Sequence, residues 1–250
     1  SALGGIHPRA LPNRPDGTLD LAAIEAAIRP DDPHQPRTRL IALENTHNRC
    51  SGAVLPISYM QAVGALARRR GVQLHLDGAR VFNAAAALSV AVQEIAAECD
   101  TVSFCLSKGL AAPVGSVIVG RRDFIHEARR ARKVVGGGMR QAGVIAAAGI
   151  VALTEMVERL VEDHANARRL AEGIAPLPGI VLNPAAVQTN IVIFELEHPR
   201  LAPQQLAEEL HSHGVWLFAI GGKRLRAVTN YHVTAADVDR AVAAFAAVLA

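Results

Sequence analysis

The chain has 250 residues, half of them apolar, which is enough for one large domain or for a large and a small one. Its 20% of charged residues argues against disorder, and a net charge of +3 with only 4% aromatics gives no ground for a nucleic-acid surface. Three cysteines, Cys50, Cys99 and Cys105, without C-x-x-C spacing, argue against a disulfide framework or a Cys-based zinc site. With no signal peptide and no apolar run longer than Gly143 to Leu153, a soluble cytoplasmic protein is expected, without membrane or nucleic-acid partners.

In chain order, Ser1-Ala-Leu-Gly-Gly-Ile6 has neither an initiating Met nor a helix cap and reads as the interior of a domain. Leu21, Ile24, Ala27 and Ile28 share one face of a helix over Leu19 to Ile28, and Pro30, Pro33 and Pro36 end it. Arg39 to Leu43 is a short apolar strand, followed by a polar loop from Glu44 to Gly52. Ser58 to Arg70 reads as a helix closed by Gly71, Val72 to Leu76 as a strand, and Ile95 to Cys99 as helical. Thr101 to Leu106 and Val114 to Val119 are further strands. This alternation predicts an α/β domain with a mostly parallel sheet.

Arg121 to Val135 is a basic helix broken by Gly136-Gly137-Gly138, and Gly143 to Gly173 reads as one or two long helices. After Pro178 the pattern changes to strands at Asn190 to Leu196, Val215 to Phe218 and Leu225 to Val228, with helices at Pro203 to His213 and Ala235 to Leu249. The expected organisation is a large domain over 1–150, linking helices over 151–178, and a small C-terminal α+β domain over 179–250.

Two polar signatures follow neighbouring predicted strands: His75-Leu-Asp77-Gly-Ala-Arg80 and Ser107-Lys108-Gly109. Ligands of open α/β sheets bind at the carboxyl ends of strands. An acid and a lysine placed there suit pyridoxal 5′-phosphate (PLP). The amine forms a Schiff base with the cofactor aldehyde, and the carboxylate keeps the pyridine nitrogen protonated. Taken singly, Asp-Gly is a turn and Ser-Lys-Gly means little. Lysine is scarce, however. Lys133 lies in the basic helix and Lys223 at a turn, which leaves Lys108 as the best of the three.

Four stretches, Leu43-Glu-Asn-Thr-His-Asn48, Leu74-His-Leu-Asp-Gly-Ala-Arg80, Cys105-Leu-Ser-Lys-Gly-Leu110 and Val135-Gly-Gly-Gly-Met-Arg-Gln141, together resemble the L-threonine aldolase family. The resemblance runs over essentially the whole chain. It implies the aminotransferase-like PLP fold type I and cleavage of threonine or allo-threonine to glycine and acetaldehyde. It implies Lys108 as the Schiff-base lysine and Asp77 as partner of the pyridine nitrogen. Arg80 would lie near the cofactor's phenolic oxygen and the substrate carboxylate, and Arg226 would grip that carboxylate through two parallel hydrogen bonds. His34 would sit near the substrate hydroxyl as a proton-transfer group, and His47 near the site. Arg140 would bind the cofactor phosphate, with Lys133 adding positive potential. In the family this segment serves a neighbouring subunit of a homotetramer.

The resemblance also implies a longer chain, with a phosphate loop, a ring-stacking histidine and a serine ahead of residue 1. Asn230 departs from the usual His after Val-Thr. Three other readings stay open: another PLP-dependent lyase acting on β-substituted amino acids, a truncated inactive homologue, and a non-catalytic interaction protein. A metal hydrolase on His75-Leu-Asp77 or His211-Ser-His213 lacks a third ligand, and no metal is expected.

Overall fold

The computed structural model describes residues 3–250. Helix α1 (Leu21–Ala27) starts where the Asp20 side chain accepts the Ala23 N–H, and it leads to strand β1 (Leu40–Glu44). Helix α2 (Ile57–Arg70) ends at Gly71, whose φ of 64° is the left-handed cap that glycine adopts freely. Strand β2 (Gln73–Asp77), helices α3 (Val81–Leu88) and α4 (Val92–Ala96), strand β3 (Thr101–Cys105) and strand β4 (Ser116–Gly120) complete the first sheet and its cover. The order is β1-β2-β3-β4, with the first three strands parallel and β4 antiparallel at the edge. Leu43, Leu55, Met60, Val63, Leu74, Leu76, Val81 and Ile95 fill the core between this sheet and its helices.

Helix α5 (Arg122–Val134) and helix α6 (Gly143–Glu155) flank the glycine run, and helix α7 (Leu160–Ile174) follows. The second sheet, in the order β5-β6-β8-β7, comprises β5 (Ile180–Val181), β6 (Ile191–Leu196), β7 (Phe218–Gly221) and β8 (Arg224–Val228) and is antiparallel throughout. Helices α8 (Pro203–Ser212) and α9 (Ala235–Leu249) cover it. Ala167, Leu170, Ala171 and Ile174 of α7 share one core with Val192, Phe194, Leu206, Leu225 and Phe245. The second packing unit therefore begins at α7 rather than at residue 179, because the apolar stripe of α7 faces this sheet.

Two local expectations shift, and one helix has no counterpart in the sequence reading. The helix expected at Ile95 to Cys99 begins earlier, because Glu94 Oε1 accepts the Ala91 N–H at 3.0 Å and starts the turn there. The strand expected at Val215 to Phe218 begins three residues later, at Phe218. The Val215 N–H closes α8 on the Leu210 carbonyl, and pairing with β8 begins at Phe218. Helix α3 was not anticipated, since four consecutive alanines give no amphipathic period.

The two units are stitched by the loop after β1. Thr189 Oγ1 donates to the Gly52 carbonyl at 2.8 Å, and the Val54 N–H donates to Gln188 Oε1 at 2.7 Å. Gly52 has a φ of +69°, and a Cβ there would lie 2.4 Å from Thr189 Oγ1, so the close approach needs glycine.

Candidate active site

Because β1, β2 and β3 run parallel, their carboxyl ends share one edge of the sheet, with Glu44 opposite Asp77 and Asp77 opposite Ser103. Asp77 ends β2 with its side chain exposed, accepting only the Ala79 N–H, at 3.1 Å, among the described residues. Gly78 then donates to the Ser103 carbonyl at 2.7 Å. A Cβ at residue 78 would lie 3.0 Å from that oxygen, so the turn beside Asp77 closes tightly on β3. Lys108 sits three residues past the end of β3 on an exposed turn, held by the Ala111 N–H on its carbonyl at 2.9 Å. Its amine makes no hydrogen bond or ion pair with the described residues. Asp77 and Lys108 thus follow neighbouring parallel strands at the same edge of the sheet.

Arg80 caps α3, and Arg226 lies on β8 of the second sheet. Both are half-buried, and the Nε of each is a buried donor without a partner. Burial draws the Arg80 guanidinium down to about 10, and the charge of Arg226 adds to that effect. Burial lowers Arg226 as well. Two neighbouring cations with free N–H groups and no carboxylate hydrogen-bonded to either form an anion-binding arrangement.

The loop after β1 supports this pair. Asn48 Oδ1 accepts from Arg226 Nη2 at 2.9 Å, and the Asn48 N–H rests on Glu44 Oε1 at 3.1 Å. Arg224 Nη2 donates to the Arg49 carbonyl at 3.0 Å. His47 is buried, with Nε2 3.7 Å from Glu44 Oε2 and Nδ1 unpartnered. Glu44 and Asn48 lay within a stretch quoted from the sequence, but nothing local signalled that Asn48 meets an arginine 178 residues away.

The other expected site residues are not brought to this rim within one chain. His34 lies in the loop entering the amino end of β1, with a 90% exposed side chain bound only to Asp32 Oδ1 at 2.9 Å. That is the opposite end of the sheet from Asp77 and Lys108. Lys133 and Arg140 are exposed on α5 and the loop after it. A Cβ on Gly138 would lie 2.6 Å from Lys133 Cδ, so the glycine run folds back along the lysine stem. Of the residues weighed as metal ligands, His75 Nδ1 lies 2.8 Å from Thr101 Oγ1, and His211 packs on Trp216 with ring centroids 3.7 Å apart.

The β-eliminating lyase family model matches residues 1–197. Low-specificity L-threonine aldolase 1 of Arabidopsis thaliana is 47% identical over 250 residues, covering 98% of this chain and 69% of that protein. The low specificity L-threonine aldolase of Escherichia coli strain K12 is 41% identical over 250 residues, covering 100% of this chain and 72% of that protein. Among solved structures, the threonine aldolase of Leishmania major aligns with a TM-score of 0.78 at 20% identity, over 95% of this chain and 69% of that one. A PLP-dependent aminotransferase from Streptococcus suis aligns with a TM-score of 0.71 at 16% identity, over 96% of this chain and 64% of that one.

The shared architecture is PLP fold type I, the aminotransferase-like fold. The chain belongs to the β-eliminating lyase family and, within it, to the low-specificity L-threonine aldolases.

Proposed function

We propose that the protein cleaves threonine and allo-threonine to glycine and acetaldehyde, using pyridoxal 5′-phosphate held by Lys108 and Asp77. The observation that carries this reading is the rim itself. Asp77 at the end of β2 and Lys108, three residues past β3, follow adjacent parallel strands, and Arg80, three residues after Asp77, and Arg226 each keep a buried donor without a partner among the described residues. This donor set fits the cofactor. The Lys108 amine is open to condense with its aldehyde, and the Asp77 carboxylate would hold a proton on its ring nitrogen. Bound PLP supplies an electron sink for the pair left on the substrate α-carbon when the Cα–Cβ bond breaks.

The chain's own residues do the rest. Arg226 and Arg80 clamp the amino-acid carboxylate, and the clamp fixes which bond at the α-carbon faces the cofactor. Asn48 occupies one donor of Arg226 and leaves Nε free for the substrate.

Adding PLP to the protein tests the reading. A visible absorption band and threonine-dependent release of glycine are expected, both lost in Lys108→Ala. A band that persists in Lys108→Ala rejects the lysine. Serine and phenylserine, run beside threonine and allo-threonine, separate aldol cleavage from another PLP-dependent lyase activity.

Assembly as a homo-oligomer, a tetramer by family resemblance, belongs to the same proposal. Val134, Val135, Met139, Val144 and Ile150 expose an apolar surface around Arg140. Lys133 and Arg140 would then serve a neighbour's cofactor site. The three cysteines are free, which suits a reducing, cytoplasmic setting.

A further inference from the structure

Behind the turn that carries Lys108 lies a buried polar knot that the chemistry above does not use. Helix α7 presents Leu160 and His164, one helical turn apart, toward α3 and Gly109. Asn83 of α3 is buried and donates from Nδ2 to His164 Nε2 at 3.0 Å. An amide nitrogen only donates, so Nε2 is the acceptor and the ring proton sits on Nδ1. Burial pulls this imidazole down to about 4, which keeps it neutral and able to accept.

The Asn83 amide also lies against Gly109, the residue after Lys108. A Cβ on Gly109 would meet Leu160 Cδ2 at 2.7 Å and Asn83 Oδ1 at 3.2 Å, so the turn sits directly on the knot. The adjacent residue ties α7 to the end of β8. Asp163 is fully buried and paired with Arg159 at 2.8 Å, and its carbonyl accepts from Thr229 Oγ1 at 2.6 Å, just past β8. One cluster thus abuts the Lys108 turn at Gly109, includes a residue of α3, the helix that Arg80 caps, and holds Thr229, three residues after Arg226.

We propose that Asn83 and His164 are positioning residues that hold the Gly109 turn and α3 against α7. In this arrangement the Lys108 amine meets the cofactor aldehyde at one fixed place relative to the arginine pair. This rests on Lys108 being the amine that carries PLP. An acceptor is what the site requires of residue 164. Phenylalanine keeps the ring but leaves the Asn83 donor unpaired, whereas glutamine restores an acceptor oxygen.

The test is borohydride trapping of PLP on Lys108, followed by peptide mapping, in wild type, His164→Phe, His164→Gln and Gly109→Ala. Melting temperature and the separate values of kcat and KM are read beside it. His164→Phe should slow capture about tenfold and lower kcat more than it raises KM, with His164→Gln recovering most of both. Gly109→Ala should slow capture in the same way and decides the matter if His164→Phe does not fold. Capture at the wild-type rate in His164→Phe or Gly109→Ala overturns the proposal, as does a His164→Gln variant no better than His164→Phe. Failure of wild type to trap PLP on Lys108 removes the functional reading and this one with it. Normal wild-type capture with unaffected variants removes only this one.

Discussion

Helices α6 and α7 follow each other directly in the chain, yet they meet their surroundings in opposite ways. α7 carries charge on one face and buries seven residues, Leu160, Asp163, His164, Ala167, Leu170, Ala171 and Ile174. α6 is apolar on nearly every face, yet it buries only Gly149 and Ala152 and leaves Val144, Ile150, Val151 and Leu153 exposed. A helix that is apolar all round belongs inside a larger body, whereas an amphipathic one belongs at the edge of its own core. By the proposed assembly the first is a contact surface, and the second is a structural spine. The same substitution should therefore have different consequences on each.

Ile174→Ala sharpens the contrast most. Ile174 is fully buried on α7, so its truncation should cost about 3 kcal/mol in urea unfolding. A change below about 1 kcal/mol would show that the α7 stripe is not a packed core.

His164 gives the next largest effect. Its imidazole titrates near 6.5 when unfolded and at about 4 when folded. Between those values the unfolded chain binds more protons. The stabilising contribution is thus complete above pH 6.5 and is lost as pH falls toward 4. The loss amounts to about 3 kcal/mol at most, and less in practice where the fold loosens first. Burial raises the Asp163 carboxyl, which acts in the opposite sense at low pH. The comparison to make is therefore wild type against His164→Gln, which should flatten the slope between pH 6.5 and 4. Equal slopes would contradict a buried neutral ring.

Arg226→Lys should raise KM for threonine about tenfold, since a lysine cannot supply two parallel hydrogen bonds. Its effect on unfolding should be small. An unchanged KM would take the carboxylate off Arg226. Ile150→Ala on α6 should change the unfolding free energy of the isolated subunit by no more than about 0.5 kcal/mol, because the side chain is 63% exposed. It should instead weaken self-association, measured by sedimentation. A large loss of subunit stability would break the contrast between the two helices.

The parts legible in the sequence were those with local periodicity or punctuation. α2, α9, the strand that ends at Asp77 and the strand that leads to the Lys108 turn follow from apolar spacing and from the residues that end them. α3 carries no such mark, because consecutive alanines have helix propensity without a period, and Asn83 lies within it. The share of α7 in the second core has no local mark, because that core forms only when residues near 170 meet those near 194 and 245. The link from Arg226 to Asn48 has no local signature, since neither residue's neighbours encode a partner 178 positions away. His34 illustrates the reverse case. Its motif match is local, but the chain leaves it at the far end of the sheet.

The seam at Gly52, Val54, Gln188 and Thr189 bears on the selectivity of the proposed carboxylate clamp. Arg80 belongs to one body of the molecule and Arg226 to the other, so the gap between these two charges is a dimension of the joint and of neither core. Lengthening or shortening the segment at residues 49–51 would reset that gap and alter which acids fit between the arginines, while both arginines stayed in place.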